Sequence, residues 1–284
     1  AYREGLTRSP NLPEVMTNLA SCYEAIEQQA QAIHYYKTAL GLAPNLPMAN
    51  GNLGAIYQQQ GELDKALPLL EKAVRLNPHF TAARYRLGLV LTKKREFQRA
   101  AALYQQVIAQ QRDHVGAYYN LAQALFRLKQ SEEGKRAMEI YRRLNAIAQE
   151  IDTRERASLA EPSNPIKRHQ LGLAYAKYGK TAKAITAFQA ALKRDGSAHY
   201  ALNALARLYI LQGVQLEDAI AYAEKAFRLA PAPQYLHTLA LAYFQTGERE
   251  SALKAIQAAI KMEPKNKAFQ QTLTEIKRAD EKTQ

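Results

Sequence analysis

Residues 47–80 read PMANGNLGAIYQQQGELDKALPLLEKAVRLNPHF, and the same grammar returns on either side of them. With Pro47 as position 1, position 7 is Leu53, position 8 is Gly54 and position 11 is Tyr57. The Leu-small pair at positions 7 and 8 recurs as Leu19-Ala20, Leu87-Gly88, Leu121-Ala122, Leu171-Gly172, Leu205-Ala206 and Leu239-Ala240. Seven repeats of 34 residues thus begin at Pro13, Pro47, Thr81, Val115, Pro165, His199 and Pro233. A fixed period of this size means stacked supersecondary units, each of which needs its neighbours to bury its core.

Within a repeat, positions 4, 7, 8 and 11 share one side of a helix, because residues three, four and seven apart face the same way. The small residue at position 8 lets a second helix approach closely. Gly61, Gly179, Gly213 and Gly247 mark a turn at position 15. The second helix carries Ala32, Ala66, Ala100, Ala184 or Ala252 at position 20 and a bulky residue at position 24. It stops at Pro44, Pro78, Pro231 or Pro264, since proline lacks the N–H and clashes with the preceding turn. In repeat six Ala219 comes one residue late, which places one added residue near Val214-Gln215, made up at Pro231-Ala232-Pro233.

Two stretches fall outside the period. Tyr2, Leu6 and Pro10 line up with Tyr36, Leu40 and Pro44, so residues 1–12 read as the second helix of an earlier repeat, and the chain as a fragment or processed product. Residues 149–164 are extra; they either prolong the second helix of repeat four, where Met138, Tyr141, Leu144, Ile147 and Ile151 keep helical spacing, or form a separate short helix. The organisation read from the sequence is a partial repeat at 1–12, four repeats over 13–148, the insertion at 149–164, three repeats over 165–266 and a capping helix at 267–284. In the cap, Phe269, Leu273 and Ile276 fall on one side.

This pattern resembles the tetratricopeptide repeat (TPR) family over residues 13–266. The departures are the absence of Trp at position 4, and Gly134 and Tyr141 in repeat four where Ala is expected. The resemblance implies an all-α fold, a right-handed α-solenoid (TPR superhelix) of antiparallel helix pairs. It also implies a concave face lined by the first helices through positions 2, 5, 6, 9, 12 and 13, and a non-enzymatic scaffold for protein–protein interaction.

The rest of the sequence agrees with a binding role. No run of about 18 apolar residues is present to span a membrane. The single Cys22 excludes an intrachain disulfide and reads as a buried small hydrophobe. No cofactor motif, phosphate loop or nucleophile elbow is found, and the six histidines form no metal-ligand set; His79 and His114 read as solvated residues of the turns between repeats. Catalytic, cofactor and metal sites are all expected to be absent. The compartment stays open between cytoplasmic and periplasmic.

Charge and register together select a face. Of the net charge of +13, residues 81–148 supply most, with 13 Lys and Arg against 5 Asp and Glu. At the groove positions stand Arg86, Lys93, Arg127 and Lys177, with Tyr85, Tyr119 and Phe126 beside them. Charged and aromatic groups together are the usual anchors of a binding surface. Asn18, Asn52 and Asn120 share position 6. Their carboxamides either bind the backbone of an extended ligand or satisfy neighbouring helix groups. The resemblance to chaperone-binding TPR proteins stops short, because their carboxylate clamp wants Lys and Asn where this chain has Thr17, Ser21 and Ala82. The partner expected is a protein or peptide segment, acidic in character. The alternatives are nucleic acid on the same basic patch, disfavoured by the apolar residues at code positions, or service as the TPR part of a larger enzyme or membrane complex.

Overall fold

The computed structural model describes residues 12–281. Among them are fifteen α-helices and no strand. In chain order they are α1 (Pro13–Ala25), α2 (Gln29–Leu42), α3 (Pro47–Gln59), α4 (Leu63–Leu76), α5 (Thr81–Lys93), α6 (Phe97–Gln110), α7 (Val115–Arg127) and α8 (Ser131–Ala160). There follow α9 (Pro165–Lys177), α10 (Thr181–Arg194), α11 (His199–Gln212), α12 (Leu216–Leu229), α13 (Pro233–Thr246), α14 (Arg249–Met262) and α15 (Lys267–Glu281). The chain divides into two compact units, residues 1–146 and 147–284. Each is a helical solenoid of antiparallel helix pairs. The half repeat expected at the N-terminus falls on residues 1–11, outside the described residues.

Every first helix begins at position 1 of its repeat. Four of them open on proline (Pro13, Pro47, Pro165 and Pro233), where the missing N–H costs nothing and the fixed φ suits the first turn. The close approach at position 8 has a specific partner. A Cβ placed on Gly88 would meet the Tyr104 ring at 2.6 Å, one on Gly172 the Phe188 ring at 2.4 Å, and one on Gly54 the Leu70 side chain at 2.8 Å. Tyr104, Phe188 and Leu70 stand at position 24 and are fully buried. Each such side chain removed from water contributes about 1.5–3 kcal/mol.

The turn after each first helix uses one backbone state throughout. Gly61, Gly179, Gly213 and Gly247 have positive φ, and so do Glu27, Arg95 and Lys129 at the same position of repeats one, three and four. In repeat six a second left-handed residue, Gln215 (φ 49°), follows Gly213, and α12 starts one residue late in register. Position 4, where the family's Trp is absent, often carries a donor instead. Asn50 donates to the carbonyl of Pro44 (2.9 Å), Arg168 to Pro162 (3.1 Å) and, in the cap, Gln270 to Pro264 (3.2 Å), while Arg84 does the same to Pro78. The carbonyl left open by the terminal proline of one helix is thereby closed by the next.

Ser131–Ala160 is one helix of 30 residues, about 45 Å long at 1.5 Å per residue. Ala137 and Met138 pack in the core of the N-terminal unit, and Ile147 and Ile151 in that of the C-terminal unit. Gly134 takes the place of Ala because the Phe126 ring stands 2.6 Å from where its Cβ would be. In the cap, Phe269 and Ile276 are buried.

Two sequence expectations are corrected. Cys22 is exposed, not buried. It stands at position 10, which is buried in repeats two to seven (Ile56, Val90, Ala124, Ala174, Leu208 and Ala242). His114 is no free solvated residue either: its Nδ1 accepts the backbone N–H of Ala117 at 3.1 Å and its ring lies 4.6 Å from that of Tyr85. It caps α7, which no nearby Ser, Thr or Asn could do.

Candidate protein-binding faces

The packing singles out one face in each unit. In the N-terminal unit α1 touches α3, α3 touches α5 and α5 touches α7; in the C-terminal unit α9, α11, α13 and α15 do likewise. The second helices α2, α4 and α6, and α10, α12 and α14, contact first helices and not one another among the described residues. The first helices therefore make one continuous surface per unit, and their outward positions are the candidate site.

On the N-terminal face, Lys93 and Arg127 are exposed at the C-terminal ends of α5 and α7, with no ion pair among the described residues. Arg86 is half-buried and donates from Nη1 to Gln58 Oε1 at 3.0 Å. Tyr119 and Phe126 are 41% and 38% exposed, large apolar surface left in water. The Tyr119 ring lies 5.1 Å from that of Tyr141 on α8. Tyr85 is more enclosed, held against Tyr104 at 5.9 Å. Burial pushes its hydroxyl pKa up.

The asparagines at position 6 divide. Asn18 is exposed. Asn52 gives its amide hydrogens to Tyr36 Oη (2.9 Å) and Ser21 Oγ (3.3 Å) in the repeat before. Asn120 gives its own to Tyr85 Oη (2.9 Å) and the Gly116 carbonyl (2.9 Å). Both donor positions of each amide are thus used within the protein, and the Oδ1 atoms remain as acceptors. Tyr36 is fully buried, and burial pushes its hydroxyl up to about 12.

Lys177 lies in the other unit and is engaged there. Its Nζ is 3.0 Å from Glu150 Oε2 and 4.8 Å from the centre of the Tyr178 ring. The C-terminal face is apolar where the N-terminal face is basic. Leu173, Leu208, Leu211 and Leu241 line a cavity of about 600 Å³. Leu211 is 80% exposed. Leu173 and Leu241 stand at groove position 9 and Leu211 at position 13, where a groove register that counted apolar residues as well as polar ones would have found them; Leu208 comes from the buried position 10. Nearby, His169 sits between the rings of Phe188 (5.3 Å) and Tyr200 (4.8 Å), and burial lowers its pKa to about 4.

Among the described residues no group of acidic, His or Cys side chains could hold a metal ion, and no helix is long and apolar enough to cross a membrane.

Comparison with known proteins agrees with the repeat. Tetratricopeptide repeat models match residues 13–46, 169–234 and 233–266. A model described as anaphase-promoting complex, cyclosome, subunit 3 matches residues 59–140. No curated protein matches the chain. Among solved structures it is similar to YrrB, described as a TPR protein with an unusual peptide-binding site (18% identity, 84% of this chain and 96% of that one, TM-score 0.40). It is similar also to MamA from Desulfovibrio magneticus RS-1 (21% identity, 66% and 96%, TM-score 0.43) and to a tetratricopeptide repeat protein from Parabacteroides merdae (16%, 93% and 98%, TM-score 0.40). The helix pairs, their period and the separate repeat matches at both ends agree, and the chain belongs to the tetratricopeptide repeat family.

Proposed function

We propose that the chain is a non-enzymatic protein-interaction scaffold that holds an acidic protein segment on the first-helix face of repeats three and four. The tetratricopeptide fold is that of a protein-interaction scaffold; the location and the charge of the ligand are our reading. The observation that carries it is the coincidence of Lys93 and Arg127, exposed and without an ion pair among the described residues, with exposed Tyr119 and Phe126 on α5 and α7. Two exposed cations attract a carboxylate-bearing chain, and two exposed rings give it apolar contact, the pairing found at interface anchors. Arg86 adds a third charge at the cost of its bond to Gln58. Asn18 offers a whole carboxamide, while Asn52 and Asn120 offer Oδ1 acceptors for backbone N–H groups of the ligand. Lys177 belongs to the other unit, where Glu150 holds it, and it takes no part in this site.

Replacing Phe126 by a photo-crosslinking phenylalanine analogue tests this directly. Irradiation in an extract of the native source, followed by mass spectrometry, should yield a protein crosslinked through an Asp/Glu-rich segment. Crosslinks only to basic or uncharged segments would refute the reading. A salt titration with single-stranded RNA covers the alternative, since nucleic-acid binding that releases several counterions weakens by orders of magnitude between low and moderate salt. Tight RNA binding with that slope would favour nucleic acid instead.

A further inference from the structure

We propose that the first-helix face of the C-terminal unit is a second, separate peptide site, one that takes an aliphatic side chain with an adjoining carboxylate. Three observations converge on it. The cavity of about 600 Å³ between α9, α11 and α13 is lined by Leu173, Leu208, Leu211 and Leu241, enough room for more than one aliphatic side chain. Asn203, 8% exposed, lines the same cavity, and its Oδ1 has no hydrogen-bond partner among the described residues. Arg207 stands exposed on the same lining and makes no ion pair among the described residues.

Each observation asks something of a ligand. The leucines ask for apolar volume. An unpartnered buried carbonyl is costly and asks for an N–H donor. The guanidinium asks for an anion in a planar, two-pronged geometry. A protein segment meets all three at once: a leucine-like side chain enters the cavity, a backbone N–H reaches Asn203, and an Asp or Glu carboxylate pairs with Arg207. An acyl chain satisfies the first and third demands and leaves Asn203 unpaired. A nucleic acid satisfies the third alone. This site uses none of the residues of the basic face, so either can fail without the other.

The test uses the whole chain on an array of ten-residue peptides carrying leucines at varied spacing beside aspartate, each with a twin in which leucine is serine and another in which aspartate is lysine. The chain should retain the leucine-aspartate peptides at least tenfold over both twins. Leu211→Glu, a change at an exposed position that leaves helicity intact, should remove that preference. Arg207→Glu should shift it toward the lysine twins, and Asn203→Leu should weaken retention while raising the melting temperature. Reversal of Arg86, Lys93 and Arg127 to glutamate should leave it unchanged. Equal retention of the serine twins, or retention by Leu211→Glu equal to that of the parent, would overturn the proposal. So would a cavity that takes palmitate while no array peptide binds.

Discussion

Asn120 donates to the hydroxyl of Tyr85 at 2.9 Å, joining the first helix of repeat four to that of repeat three. The bond ties a residue of the polar ladder to a ring of the aromatic cluster, so both residues act on stability before they act on a ligand. Two repeats earlier Asn52 makes a bond of the same length, 2.9 Å, to Tyr36 on the second helix of repeat one. A side-chain bond of this kind contributes about 1 kcal/mol, and leaving one partner unsatisfied costs about 1–3 kcal/mol. Tyr85→Phe should lower stability by about 1 kcal/mol, read as a shift in the urea midpoint. Asn120→Ala should cost as much or more, because the Gly116 carbonyl loses a donor too. An unchanged midpoint in both would contradict the reading of these bonds.

The shared left-handed turn makes a second prediction. Glu27, Arg95 and Lys129 hold φ near +60°, a region that costs an L-residue about 1 kcal/mol more than glycine. Arg95→Gly should therefore raise stability by about 0.5–1 kcal/mol, and Gly61→Ala should lower it by about 1 kcal/mol. Thermal melts of the two variants should move in opposite directions.

A third prediction concerns the close packing at position 8. Gly172→Ala would press a methyl group into the Phe188 ring, which is buried and cannot swing away. Overpacking of this kind costs about 1–3 kcal/mol. Gly41→Ala meets nothing within 4 Å and lies inside a helix, so it should be neutral or stabilising. Equal melting temperatures for the two variants would refute the packing account.

His169 supplies a pH dependence. Burial between Phe188 and Tyr200 lowers its pKa from 6.5 to about 4. The unfolded chain therefore takes up a proton between those values that the folded chain does not. Stability from this group is fully present above pH 6.5 and is lost as pH falls toward 4, by about 2 kcal/mol at pH 4.5. His169→Phe keeps the ring packing and cannot titrate. Its stability relative to the parent should rise as pH drops from 7 to 4.5; a difference constant with pH would exclude the effect.

The architecture was legible because it rests on repetition. Every first helix starts at the position counted from the Leu-small pairs, and the late Ala219 announced the added left-handed residue at Gln215. What stayed hidden depends on contacts between repeats. The partners of Asn52 and Asn120 stand 16 and 35 residues away, on the second and the first helix of the preceding repeat, and only the packing of one repeat on the next decides that they meet. Glu27, Arg95 and Lys129 gave no sign of a left-handed turn, because nothing in their chemistry favours it. The cavity on the C-terminal face escaped notice for another reason: leucine on a helix is ordinarily read as core, and Leu173 and Leu211 are exposed.

The central claim is that repeats three and four present a cationic, aromatic face to an acidic segment. Its most direct test is the affinity of the chain for a fluorescein-labelled fifteen-residue peptide of glutamate, aspartate and phenylalanine, measured by anisotropy in the parent and in the Arg86→Glu, Lys93→Glu, Arg127→Glu triple variant. The account predicts at least a tenfold loss in the variant with its helical circular dichroism unchanged. Equal affinity in the two proteins would contradict it.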